Sequence, residues 1–178
     1  MTFARVRALI VVAVLFIAAG VFVIMAIGHD TQTSASTSDS CGGGLVPAKI
    51  KMPDDRDQVT INVFNGTSKV GLAQEVGGEF KNRGFKVDKT DNLPGDKKLD
   101  EIAVITYGPE AVGAATLVSA YFLVDGAAMN WDIKRKGSAV DVAIGERFQQ
   151  LATTTEVNQS IAALGSPQLP KGTCEADG

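Results

Sequence analysis

The chain has 178 residues, enough for one domain with appendages rather than two full domains. Its formal net charge is −3, and all 20 acidic residues lie beyond His29 with every basic residue except Arg5 and Arg7. No basic stripe appears among them, Lys134-Arg135-Lys136 being the longest run, which argues against a nucleic-acid partner, since such a partner needs a lysine and arginine stripe against its phosphates.

From Ala8 to Ile27 the chain reads ALIVVAVLFIAAGVFVIMAI, with no charge and no amide. At about 1.5 Å per residue, a helix of that length spans roughly the 30 Å of a bilayer core. Residues 8–27 are therefore expected to form a transmembrane helix. Arg5 and Arg7 precede it and no Lys or Arg follows until Lys49. By the positive-inside rule, residues 1–7 are cytoplasmic and the remainder is extracytoplasmic. The competing reading is a cleaved signal peptide ending at Ala26-Ile27-Gly28, although the apolar run exceeds the usual signal core. Residues 28–57 are rich in Ser, Thr, Gly and Asp without an apolar period, and are expected to be a linker. The two cysteines, Cys41 and Cys174, flank the rest of the chain in a compartment that permits disulfides; a bridge is expected, with free thiols as the alternative.

Periodicity begins with the domain expected over 58–152. Val59, Ile61 and Val63 alternate with polar residues as in a strand, and Asn65-Gly66-Thr67 turns the chain. Leu72, Ala73, Val76 and Phe80 share a helical face that Gly84 ends, and Phe85 and Val87 open a second strand. Residues 91–100 read as a polar loop and 102–106 as a third strand. Gly108-Pro109-Glu110 enters a helix whose face carries Ala111, Ala115, Val118 and Phe122. Met129, Trp131 and Ile133, then Val140, Val142 and Ile144, alternate on either side of Arg135-Lys136-Gly137-Ser138, predicting a hairpin. GERFQQL (145–151) predicts a short helix. The segment 153–178 predicts a helix over 155–164, capped by Gly165, and a tail. The fold expected is α/β of the α+β kind: a β-α-β-β-α-β-β mixed sheet with helices packed on one face, preceded by the single transmembrane helix.

Residues 66–80 and 108–122 echo each other at an offset of 42. Gly66/Gly108, Val70/Val112, Gly71/Gly113, Ala73/Ala115, Val76/Val118 and Phe80/Phe122 coincide. Shared geometry is expected, the second glycine letting each helix approach its sheet and the phenylalanines lying in the core.

Gly66 and Gly71 have the spacing of a phosphate loop, but Leu72-Ala73 stand where Lys and Ser or Thr are required. The nucleotide reading fails on that point, and Asn65, Gly66, Thr67 and Gly71 are read as a structural strand-to-helix turn. The single histidine, His29, sits at the membrane boundary, so no nucleophile–histidine pair can be built in the domain. Asp54-Asp55-x-Asp57 lacks the glycine and distal glutamate of a calcium loop and reads as a solvated turn. The sequons at Asn65 and Asn158 are taken as incidental, and Trp131 and Tyr121 as core or partly buried rather than sugar-stacking residues. No catalytic residue, metal site or cofactor is expected, and no ligand-binding residue stands out.

Several stretches resemble the LytR C-terminal domain family: Val63-Phe64-Asn65-Gly66-Thr67, Gly71-Leu72-Ala73, Gly84-Phe85-x-Val87, Ile105-x-Tyr107 and Val142-x-Ile144-Gly145 followed by Glu146-Arg147-Phe148. In that family the domain often follows LytR-CpsA-Psr enzymes, which attach envelope polymers to peptidoglycan. The chain resembles the stand-alone, membrane-anchored form found in actinobacterial cell-envelope-integrity proteins. The resemblance implies a non-enzymatic binding or scaffold protein that supports envelope integrity. Its partner would be an envelope protein, a cell-wall polymer or a lipid, and the alternative is an accessory regulator of a polymer-attaching enzyme. It carries over no catalytic residues.

Overall fold

The computed structural model describes residues 41–123 and 126–176. The anchor expected at 8–27 lies outside the described residues, as does the linker before Cys41. Among the described residues no helix is long and apolar enough to cross a membrane.

Among the described residues seven strands and three α-helices form; the strands are β1 (Val46–Ala48), β2 (Thr60–Asn65), β3 (Lys86–Asn92), β4 (Ala103–Tyr107), β5 (Ala127–Trp131), β6 (Val140–Ile144) and β7 (Thr173–Glu175). The α-helices are α1 (Leu72–Asn82), α2 (Val112–Ser119) and α3 (Thr154–Leu164). The main sheet is five-stranded and mixed, in the order β3-β2-β6-β4-β5. Strands β3, β2 and β6 are mutually parallel, β4 runs antiparallel to β6, and β5 is parallel to β4. The element order from β2 to β6 is the one the periodicity predicts.

Alternation explains the layering. Ile61, Val63, Ala103, Ile105, Val140, Val142 and Ile144 are all fully buried, while Thr60, Asn62, Phe64, Val104, Thr106, Asp141 and Ala143 between them are half-buried. The buried face receives Leu72, Ala73, Val76 and Phe80 of α1 and Ala115 and Val118 of α2. A Cβ on Gly77 of α1 would lie 2.6 Å from the Thr90 methyl, so this glycine sets how closely the helix meets the sheet.

The echo corresponds to two strand–helix–strand units, β2-α1-β3 and β4-α2-β5, each ending in a parallel neighbour of its first strand. Phe80 and Phe122 meet in the core with ring centroids 6.2 Å apart. The second glycines do not do the job expected of them. Gly71 has φ +82 with open space around it, so it supplies a left-handed turn. Gly113 is pressed against the Lys51 carbonyl, not the sheet. Val70 is 96% exposed, whereas its counterpart Val112 is buried.

Three further expectations are corrected. The hairpin does not form, because β6 inserts between β2 and β4 and leaves β5 at the edge. The connecting residues 132–139 cross the end of β4, where a Cβ on Gly108 would come within 2.5 Å of the Arg135 carbonyl oxygen. GERFQQL makes a turn instead of a helix. The amides of Gly145, Glu146 and Arg147 bond the carbonyls of Ile102, Leu99 and Glu101, and Phe148 stacks on Phe122 at 6.1 Å, so tertiary contacts override propensity. The linker ends earlier than expected. Residues 41–57 join the domain through β1, which pairs in parallel with β7, and Ala48 is fully buried. Cys41 and Cys174 are bridged, with Cα atoms 5.9 Å apart.

Helix α3 begins with a capping box. Thr153 donates from its backbone N–H (2.7 Å) and hydroxyl (2.7 Å) to Glu156 Oε2, and the Glu156 amide bonds back to Thr153 Oγ1. The backbone donation, then the hydroxyl, hold the Glu156 carboxyl below its ordinary 4.5. A carboxylate lowered in the folded state stabilises the fold above its unfolded value and loses that contribution as pH falls through the folded value. Amide protection at the start of α3 is therefore expected to be constant above about pH 4.5 and to fall in more acid solution. Thr153→Ala, which keeps the backbone donor, should cost about 1 kcal/mol. It should also return the Glu156 titration, followed by carboxyl-carbon NMR, part of the way to its ordinary value.

Candidate functional site

Because β2, β3 and β6 run the same way, their carboxyl ends lie along one sheet edge. Open α/β sheets bind ligands at such an edge. The segments leaving it include the turn singled out in the sequence, the loop after β3 and the Gly145–Phe148 turn.

The turn is built from Asn65, whose side chain is nearly fully buried. Its Oδ1 accepts from the Thr67 amide (3.0 Å) and hydroxyl (2.7 Å), and its Nδ2 donates to the Lys69 carbonyl (2.7 Å). Thr67 Oγ1 in turn accepts from the Lys69 amide. Gly66 donates its amide to the Ile144 carbonyl and accepts from Leu99, and a Cβ there would crowd the Ile144 oxygen at 2.9 Å. Gly71 then turns the chain into α1. All four turn residues thus have structural roles, and the buried Asn65 amide leaves no room for a glycan.

The turn also does something that the sequence reading missed. With Ser68, Asn92, Lys97 and Lys98 it walls a cavity of about 150 Å³. Three lysines, Lys69, Lys97 and Lys98, line it and no carboxylate does. Lys69 Nζ lies 2.9 Å from Glu75 Oε2 just outside, and Lys98 Nζ donates to the Thr67 carbonyl, which pins it across the opening. The Ser68 amide and hydroxyl both donate to Glu146 Oε1, at 2.8 and 3.0 Å, tying the turn to Glu146-Arg147-Phe148. The exposed Val70 sits on the cavity wall. The lysine ammonium groups around this fixed turn suit recognition of an acidic surface. The lysines come from two loops far apart in sequence, so nothing in the linear charge pattern marks them.

The remaining residues of interest fall elsewhere. Tyr121 is buried, and Trp131 is half-buried with its ring 5.5 Å from Tyr107. Tyr107 ends β4 and is therefore at the opposite sheet edge, where burial pushes its phenol up from 10.0. Asp54 pairs with Lys51 at 3.5 Å in an exposed turn.

A family model described as LytR cell envelope-related transcriptional attenuator matches residues 58–148, from just before β2 to the end of the Glu146-Arg147-Phe148 turn. The fold is similar to the crystal structure of the soluble domain of a conserved hypothetical secreted protein from Mycobacterium marinum. The TM-score is 0.51 and the identity 23%, covering 71% of this chain and 82% of that one. No curated protein matches the sequence.

Proposed function

We infer the function from one premise: the chain belongs to the LytR C-terminal domain family, whose model covers the sheet, its first two helices and the lysine-lined edge. The reading is of an extracytoplasmic, membrane-anchored binding domain that supports cell-envelope integrity and catalyses no reaction. The family's description as cell envelope-related supports the compartment and the process. The apolar run 8–27 and the secreted status of the Mycobacterium marinum protein agree with export. The mechanism is tethering. The anchor holds the domain at the membrane, residues 28–40 set its reach, and the edge formed by Asn65, Thr67, Ser68 and the three lysines meets an envelope protein, wall polymer or lipid.

The second reading, an accessory regulator of a polymer-attaching enzyme, rests on the same family membership. A deletion strain separates the two. Sensitivity to detergents and envelope antibiotics, rescued by the full chain but not by an exported form lacking 8–27, is expected for tethering. Loss of a single polymer linkage with an otherwise intact barrier supports the regulator instead. Turnover of an envelope substrate by the purified chain would overturn both.

A further inference from the structure

A second polar cavity, of about 180 Å³, opens between the end of α1 and the start of α3, lined by Arg56, Asn82, Arg83, Tyr121, Thr154 and Val157. Its two guanidinium groups are held in place. Arg56 Nε donates to Tyr121 Oη at 2.5 Å. Arg83 donates to Glu79 Oε2 at 2.8 Å and to the Ala152 carbonyl at 3.3 Å, with its guanidinium carbon 6.0 Å from the Tyr121 ring centroid. Tyr121 is only 2% exposed and is wedged against Phe85 and Phe80, at 5.1 and 5.8 Å.

Two features of this cavity call for a ligand. None of the lining residues is acidic, and Arg56 has no ion pair among the described residues. Glu79 pairs with Arg83, whereas Arg56, between Asp55 and Asp57 in the chain, has no carboxylate within ion-pair distance among the described residues. The phenol is the second feature. Its oxygen accepts the Arg56 N–H, and a guanidinium has no lone pair to take a proton back. The Tyr121 hydroxyl proton therefore points away from Arg56 and can be donated to a group in the cavity that the residue lines. Thr154, the first residue of the 11-residue α3, adds a hydroxyl.

We propose that this cleft binds the phosphate group of a phosphate ester. The donors come from four separate segments, and a tetrahedral phosphate offers oxygens to Arg56, Arg83 and Tyr121 together. The volume suits one such group and not a whole drug-sized ligand, so the rest of the ester lies outside. The assignment goes beyond the tethering reading and does not depend on it: the lysine-lined edge is a different surface, and either can fail alone.

The test uses the full chain in detergent micelles, titrated with inorganic phosphate at constant ionic strength. A saturable rise in Tm is expected, with acetate at equal concentration giving none. Arg56→Gln and Tyr121→Phe should each weaken phosphate binding about tenfold or more, as for a lost hydrogen bond to a charged group. The Tyr121→Phe protein retains the ring and so the core. Soluble glycerol phosphate diester and phosphatidylglycerol vesicles then distinguish a free ester from a lipid headgroup, and saturable binding of either, abolished in both variants, supports the site. Absence of a phosphate effect, an equal acetate effect, or binding that survives in both variants overturns it.

Discussion

Replacing Phe80 with alanine is expected to destabilise the domain by about 3–5 kcal/mol, the usual cost of removing a fully buried aromatic side chain. Phe80 has no exposed surface and stands where the two repeated units meet. Its ring lies 5.4 Å from Phe85, 5.8 Å from Tyr121 and 6.2 Å from Phe122. The neighbours are themselves pinned, Phe122 by Phe148 and Tyr121 by Arg56, so they cannot collapse into the space without breaking other contacts. A site that cannot relax falls at the upper end of the range. The midpoint of denaturant unfolding should drop while its slope stays constant. Val70→Ala is the control. That valine is 96% exposed, and its truncation should leave the midpoint unchanged. A double-mutant cycle with Phe122→Ala should return a coupling of about 0.5–1.5 kcal/mol for the aromatic pair. Comparable shifts for Phe80→Ala and Val70→Ala would show that the two units do not share this core. Because Tyr121 leans on Phe80, the truncation should also loosen Arg56 and weaken the arginine cleft.

Local pattern carried much of this fold. Alternation at Val59, Ile61 and Val63, the helical stripe from Leu72 to Phe80 and the Gly165 cap all form as their spacing predicts. The echo at an offset of 42 marked two equivalent units before any strand pairing was known. Pairing itself was not legible. Arg135 to Ser138 has hairpin composition, yet β6 is buried on its core side at Val140, Val142 and Ile144 and pairs on both edges. β5 carries the half-buried Ala127 and the exposed Ala128 and Asn130, residues that an edge strand tolerates. That contrast was the available signal, and local turn chemistry masked it. β1 was missed because three residues with Pro47 at the centre show no period, and their order comes from β7 more than a hundred residues away. The same reason hides both polar cavities. Arg56 meets Tyr121 across a sequence separation of 65, and Lys98 reaches the Thr67 carbonyl across 31. Each residue reads as ordinary surface until topology gathers them.

Removing the Cys41–Cys174 bridge is expected to cost about 2–4 kcal/mol, and the chain-entropy model allows up to about 5 for so long a loop. The bridge spans a sequence separation of 133 and encloses the main sheet, so it restricts nearly the whole unfolded domain. Its local effect should exceed its global one. A two-stranded sheet is marginal on its own, and in β1–β7 Pro47 offers no amide donor. Beyond the bridge, the segment is held by Lys49, whose amide bonds the Pro109 carbonyl and whose carbonyl accepts from Gly113. Neither strand lies within the span matched by the family, so the five-stranded core should survive their release. Reduction, or the double variant Cys41→Ser/Cys174→Ser, should therefore expose the amides of β1 and β7 to hydrogen exchange before those of β2 and β6, and lower the global midpoint. Simultaneous exchange of all four strands would make the β1–β7 pair integral to the core. When force is applied from the N-terminal side, it arrives at Cys41, and the bridge passes it directly to Cys174. Without the bridge it would load β1 and then Lys49, peeling the strand from β7. The same reduction should thus lower the unfolding force when the chain is pulled from its N-terminal side.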